Sequence, residues 1–234
     1  MAVSGLTAVV LGATGAIGSE LVQQLVNNPG FKKVVTVGRR ALDGAPTGPV
    51  ELVQRTVNMD ALETEAKDAF TGADVVFCAL GTTRKTAGSA DAFKKVDFEY
   101  VDKSARLAHA CGVRHYSLVS AQGANHKCPA NDLGLFHGLL YKKTKGMAEQ
   151  SVLQQGFQRA SIFRPGLLNR GDKARAMEKL AAHVFSSIQV KDVARLMILD
   201  ALRDPATAQP AAVFEMGELL KACQTAGQPP APSK

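Results

Sequence analysis

Short apolar runs alternate with stretches of helical spacing along most of the chain. Residues 6–11, 33–38, 51–55, 74–79, 115–120 and 160–164 have strand length. Several are near-continuous Val, Leu and Phe, as a strand covered on both faces requires. Between them, 16–27, 59–70, 89–111 and 139–155 carry helical periodicity, with "NNPGF" closing the first and Gly112 the third. This alternation predicts α/β architecture: a parallel sheet joined by crossover helices. Beyond residue 164 the pattern loosens. Residues 173–185 and 190–203 read as a small C-terminal helical part, and "AAVFEM", 211–216, as an extra edge strand. The end, "AGQPPAPSK", is Pro-rich and polar with nothing to bury. The expectation is one domain over 1–220 and a disordered tail over 221–234.

Composition narrows the function classes. A chain of 234 residues with 46% hydrophobic content can bury one substantial core. The net charge is +7, but 28 basic residues are interspersed with 21 acidic ones instead of gathering in a tail. That balance suits anionic small-molecule ligands and argues against nucleic acid, for which no motif is present. Cys78, Cys111, Cys128 and Cys223 form no C-x-x-C pair, and the five histidines have no metal-ligand spacing. Neither a metal site nor a disulfide framework is expected, and Cys78 and Cys111 are read as buried thiols. No apolar run approaches the roughly 20 residues that span a bilayer. The start of the chain lacks the basic region of a secretion signal and reads as a first strand, so the expected place is the cytoplasm, away from membranes.

The stretch "GATGAIG" sits between the first strand and the first helix. Gly12 permits a tight turn, Gly15 lets the backbone approach a pyrophosphate, and Gly18 allows close helix–strand packing. Amides at the helix start, from Ala16 and Ile17, would face phosphates, and Thr14 and Ser19 offer hydroxyl donors. The second strand ends at Arg39 and Arg40, where an NAD site usually has a carboxylate and an NADP site an arginine. The cofactor expected is therefore NADP(H), with NAD(H) disfavoured. After the third strand, Asp60 is placed to accept from an adenine amino group or to cap a helix. After the fourth, "CALGTTR" brings Leu80 and Gly81 against the cofactor, with Thr82 and Thr83 bonding there or capping a turn.

"LLYKKTKGMAEQ" carries Tyr141 and Lys145 on one helix face. Ser120 ends the fifth strand at the same sheet edge. A phenol titrates near 10, and a neighbouring ammonium favours phenolate, moving Tyr141 toward neutral pH. In carbonyl reduction Tyr141 would protonate the oxygen that Ser120 stabilises by donating to it, and Lys145 would hold the nicotinamide ribose.

Together "GATGAIG", "CALGTTR", "VDFEYV", Ser120, "YKKTK" and "FRPGLL" resemble the short-chain dehydrogenase/reductase superfamily, in its atypical or extended branch. The likeness is closest to the Tat-interacting-protein family of NADP-binding oxidoreductases and its bacterial relatives, and runs from about Leu6 to Met216. It implies a Rossmann-like, doubly wound sheet of order 3-2-1-4-5-6, bound NADP(H), and Ser120, Tyr141 and Lys145 as the catalytic set. It also implies that Arg164, Pro165 and Gly166 form a loop beside the nicotinamide. One departure is Asp97, which stands where many relatives have a proton-relaying Asn. Another is "HKCPANDLGLFHG", longer than the matching segment in the Tat-interacting relatives. The expected activity is NADPH-dependent reduction of a small carbonyl-type substrate. The alternative is a regulator that reads the NADP(H) state and acts through a protein partner. Two long helices also offer a homodimer surface.

Overall fold

The computed structural model describes residues 5–130, 137–169, 187–225 and 229–233. Strand β1 (Leu6–Leu11) is buried over almost its whole length. Its alternate side chains serve two cores: Ala8 and Val10 face one side of the sheet, Val9 and Leu11 the other. Helix α1 (Ala16–Leu25) follows at once and packs Ile17, Leu21, Val22 and Leu25 into the first core. Strands β2 (Phe31–Gly38) and β3 (Glu51–Thr56) come next. A 3-10 turn (Met59–Ala61) and two short helices, α2 (Leu62–Glu65) and α3 (Lys67–Phe70), lead to β4 (Val75–Cys78). Helices α4 (Arg84–Ala87) and α5 (Ala90–Lys94) run through a π turn (Lys95–Glu99) into α6 (Tyr100–Ala110). Then come β5 (His115–Val119), α7 (His137–Gln154), β6 (Arg159–Arg164), β7 (Leu167–Asn169), β8 (Ser187–Gln189), α8 (Val190–Ala201), β9 (Ala211–Glu215) and α9 (Met216–Gln224).

The main sheet has the order β3-β2-β1-β4-β5-β6-β9. Its strands all pair parallel. This is the expected doubly wound, Rossmann-like fold, with β9 as the added edge strand. Order reverses between β1 and β4, so a crevice opens beyond their carboxyl ends. β7 and β8 form a separate two-stranded sheet that three-residue strands are too short to announce.

The expected helix over 89–111 is instead α5, the π turn and α6, because the extra residue in the π turn swings the fully buried Asp97 inward. The helix over 59–70 breaks at Ala66, whose φ of −113° and ψ of 4° are not helical. The predicted helix 173–185 lies outside the described residues. The disordered tail needs correction for the residues described. α9 continues to Gln224 with Ala222 buried, and the Ser233 amide donates to the Val213 carbonyl at 2.8 Å. Cys78 is buried as expected, whereas Cys111 is only half-buried.

Far from the crevice, a buried polar cluster ties α8 to the sheet. The Asp200 carboxylate accepts from Arg159 at 2.5 Å and from the Ser161 hydroxyl at 2.7 Å, and the Arg203 Nε lies 3.2 Å away. The His115 Nε2 meets the Ser161 hydroxyl at 2.9 Å.

Candidate functional site

The glycine turn presses the chain together at the end of β1. Gly12 has a φ of +76°, and a Cβ there would lie 2.5 Å from the Ala79 carbonyl oxygen, so only glycine fits. A Cβ on Gly18 would stand 2.1 Å from the Gly12 carbonyl oxygen, which holds the start of α1 on the turn. The Gly15 amide donates to that same oxygen at 2.9 Å. No side chain caps α1 and no acidic residue lies in its first turn, so its free amides and positive dipole end are open to an anion. The Ser19 hydroxyl donates to the Ala16 carbonyl at 3.1 Å; it is not the phosphate donor expected of it.

Two cavities overlap along the strand ends. One of about 560 Å³ is lined by Gly12, Thr14, Gly15, Arg39 and Arg40, and by Thr86 and Tyr100, which the sequence did not single out. Among the described residues no carboxylate lines it. The second, about 570 Å³, shares Thr14, Gly15, Arg40, Leu80, Gly81 and Thr82 with the first. It continues past Ala16, Ile17 and Thr83 to Ser120, Tyr141, Lys145, Pro165 and Gly166. Most of the expected residues thus share one groove. An elongated, doubly charged dinucleotide fits this donor set: an uncapped helix start, a cradle that a Cβ would fill, and two exposed arginines at one end.

Two expected ligands are engaged elsewhere. Asp60 lies outside both cavities, with its carboxylate 2.8 Å from the Lys95 ammonium and 3.1 Å from the Tyr100 hydroxyl. Nor does Asp60 cap a helix: the Asn58 side chain does, accepting from the Asp60 amide at 3.0 Å. The Arg164 guanidinium also lies outside the cavity linings. It grips Glu149 at 2.5 and 2.8 Å and Glu215 at 2.7 Å, and bonding to Glu149 above all raises its pKa. Thr83 is a helix cap, accepting from the Thr86 amide at 3.1 Å, and the Thr82 amide donates to Asp97 at 2.8 Å.

At the far end of the groove α7 presents Tyr141 and Lys145 one turn apart. The Lys145 ammonium lies 2.9 Å from the Asp97 carboxylate, with both side chains almost wholly buried, and 3.4 Å from the Leu80 carbonyl oxygen. A Cβ on Gly81 would touch this pair at 3.4 and 3.5 Å. The ion pair changes the expected electrostatics. Burial pushes the Tyr141 phenol above its usual value, Lys145 draws it down, and Asp97 pushes it back up, for a net rise. Lys145 therefore does not bring the phenol to neutrality, because burial first, and Asp97 after it, outweigh the pull of its charge. A phenol so held is a proton donor at neutral pH.

Ser120 is also arranged differently from expectation. Its hydroxyl donates to the Glu149 carboxylate at 2.5 Å, and its amide to the Phe163 carbonyl at 2.7 Å. Glu149 was missed in the sequence, although Tyr141, Lys145 and Glu149 recur every four residues and so form one stripe along α7.

Known proteins match this architecture. A family model described as NAD(P)H-binding matches residues 12–205. The chain belongs to this NAD(P)H-binding family. It is 39% identical to Protein HTATIP2 of Rattus norvegicus over 180 residues, covering 76% of this chain and 70% of that one, which agrees with the Tat-interacting-protein resemblance. Over 166 residues it is 37% identical to Protein FMP52-1, mitochondrial, of Scheffersomyces stipitis, covering 70% and 67% of the two chains. Vestitone reductase from alfalfa shares the fold at a TM-score of 0.65 and 16% identity, over 94% of this chain and 82% of its own. The fungal relatives overturn the cytoplasmic expectation, since proteins this similar are named mitochondrial. Among the described residues no helix is long and apolar enough to cross a membrane.

Proposed function

We propose that the protein is an NADPH-dependent reductase of a small carbonyl substrate, with Tyr141 as the proton donor. The observation that carries this reading is Tyr141 at the end of the groove that runs from the uncapped start of α1, one helical turn from Lys145 of the buried Lys145–Asp97 pair. When bound, the reduced nicotinamide supplies a hydride to the carbonyl carbon. Tyr141 gives its phenolic proton to the carbonyl oxygen, and the Lys145 ammonium steadies the tyrosinate until solvent restores the proton. Lys145 is ion-paired with Asp97 and donates to the Leu80 carbonyl oxygen, and its ammonium has a further proton for a ribose hydroxyl. Arg39 and Arg40, exposed at the other end with no carboxylate in the cavity lining among the described residues, support a 2′-phosphate and hence NADP(H) over NAD(H).

NADPH oxidation across a panel of aldehydes and ketones tests the activity. Tyr141→Phe is expected to cost about 10²- to 10⁴-fold in kcat with NADPH affinity retained. Turnover unaffected by that change overturns the assignment of Tyr141. NADPH binding without turnover on any member favours a nucleotide-state sensor acting through a protein partner. For the cofactor, replacing Arg39 and Arg40 by Ala should weaken NADPH at least tenfold and leave NADH unchanged. Equal effects on the two would remove the phosphate reading.

A further inference from the structure

Ser120 does not offer what a simple carbonyl asks for. A hydroxyl carries one proton and two lone pairs. The Ser120 proton goes to Glu149 at 2.5 Å, and the direction of that bond is settled by its partner. Both Glu149 oxygens accept from the Arg164 fork, at 2.5 and 2.8 Å, and a carboxylate so held takes the acceptor role toward Ser120 as well. Arg164 is fixed in turn by Glu215 at the end of β9. Ser120 and Glu149 are each only 5% exposed. Turning the Ser120 proton into the groove would strip a buried carboxylate of a donor, which is unfavourable. Ser120 therefore presents lone pairs to the cavity it shares with Tyr141.

We propose that Ser120 accepts a hydrogen bond from the substrate, and that the substrate class is a hydroxy-carbonyl, with a hydroxyl adjacent to the carbon that is reduced. This rests on the reductase reading and sharpens it. Tyr141 serves the carbonyl oxygen, while the neighbouring substrate hydroxyl donates to Ser120. Glu149 and Arg164 are positioning residues that set the polarity of Ser120 without touching the substrate. A plain ketone, having no donor, leaves the Ser120 lone pairs unanswered, and sites built for a polar partner reject the analogue lacking it.

Two matched pairs differing by a hydroxyl against a methyl group test this: hydroxyacetone with butanone, and phenacyl alcohol with propiophenone. Calorimetric binding to the full chain loaded with unreactive NADP+ is measured beside NADPH oxidation. Wild type is expected to bind and turn over each hydroxyl member about tenfold better, the scale of one neutral hydrogen bond. Ser120→Ala should abolish the preference and Ser120→Thr should keep it. Glu149→Gln supplies an amide that donates to the Ser120 oxygen and frees its proton, so the preference should fall to near parity while NADPH affinity confirms an intact fold. Equal binding within both pairs, or a preference that survives both Ser120→Ala and Glu149→Gln, overturns the inference and leaves the reductase standing. The binding preference without any NADPH consumption does the reverse, sinking the reductase and sparing the polarity of Ser120.

Discussion

Asp97 opposes the pull of Lys145 on Tyr141, and a change of one atom tests it. In the wild type, burial and Asp97 outweigh Lys145, so the phenol stays protonated through neutral pH. The charged groups facing this point are Lys145 on α7 and Asp97 on the π turn; the buried Cys78 thiol on β4 lies near Lys145 and is itself pushed up by burial. Asp97→Asn keeps the shape of the side chain and leaves the ammonium unopposed, which lowers the phenol's pKa. In the proposed reduction the proton donor is the active form, so activity is expected below that pKa and lost above it. The alkaline limb of the kcat/KM profile should move to lower pH in Asp97→Asn, while a profile superimposable on wild type would show that Asp97 does not tune the phenol. Asp97→Glu, which restores the charge, should return the limb toward its original position.

Among the elements, α7 carries the stripe of Tyr141, Lys145 and Glu149 and is positioned by one close approach. A Cβ on Gly146 would stand 2.1 Å from the His126 amide nitrogen and 2.4 Å from the Asn125 carbonyl carbon. Both are backbone atoms and cannot step aside cheaply. Gly146→Ala gains roughly 1 kcal/mol of helix propensity but forces the 125–126 backbone off the helix, an overpacking that typically costs about 1–3 kcal/mol. A lower melting temperature together with a lower kcat is expected; a melting temperature at or above wild type would show that this loop yields freely. Gly146 also illustrates what could be seen beforehand. A glycine inside a strong helical pattern signals close packing, but not against what. Strands β1, β2, β4, β5 and β6 were legible because their apolar runs are bounded by turn residues and largely buried, whereas the edge strand β3 is mostly exposed and showed only as a short run between turn residues. The π turn was not legible, since the Lys145 that its buried Asp97 meets lies far along the chain. Asp60 was misjudged for the same reason: Asn58 and Asp60 are equally good caps by type, and the partner that claims Asp60, Lys95, lies 35 residues away. The triad of Ser120, Tyr141 and Lys145 was visible by spacing, whereas its polarity depended on Glu149 and Arg164, whose pairing needs the fold.

Across the whole molecule, function and acid sensitivity sit at opposite edges of one sheet. The groove lies beyond the carboxyl ends of the strands, and His115 opens β5 at the amino end, against Arg159, Ser161 and Asp200. Burial first, and Arg159 second, depress the His115 pKa from 6.5 to about 3. The Asp200 carboxylate lies 3.9 Å away but is already matched by Arg159 and Arg203, so it does not rescue the imidazolium. Between about 3 and 6.5 the unfolded chain binds a proton at this position that the folded chain refuses. The stability contributed is whole above 6.5 and is lost as pH falls through that window, at about 1 kcal/mol per pH unit. Asp200 works in the opposite sense, because burial raises its pKa and eases its protonation in the folded state. Comparing wild type with His115→Gln, which keeps a partner for Ser161 and cannot charge, cancels the Asp200 contribution. Urea unfolding should show wild type losing about 1–2 kcal/mol more than the variant between pH 7 and pH 5. Parallel losses would mean that the imidazole is solvated. NADPH affinity at pH 7 should be the same in both, because nothing in the cluster reaches the groove.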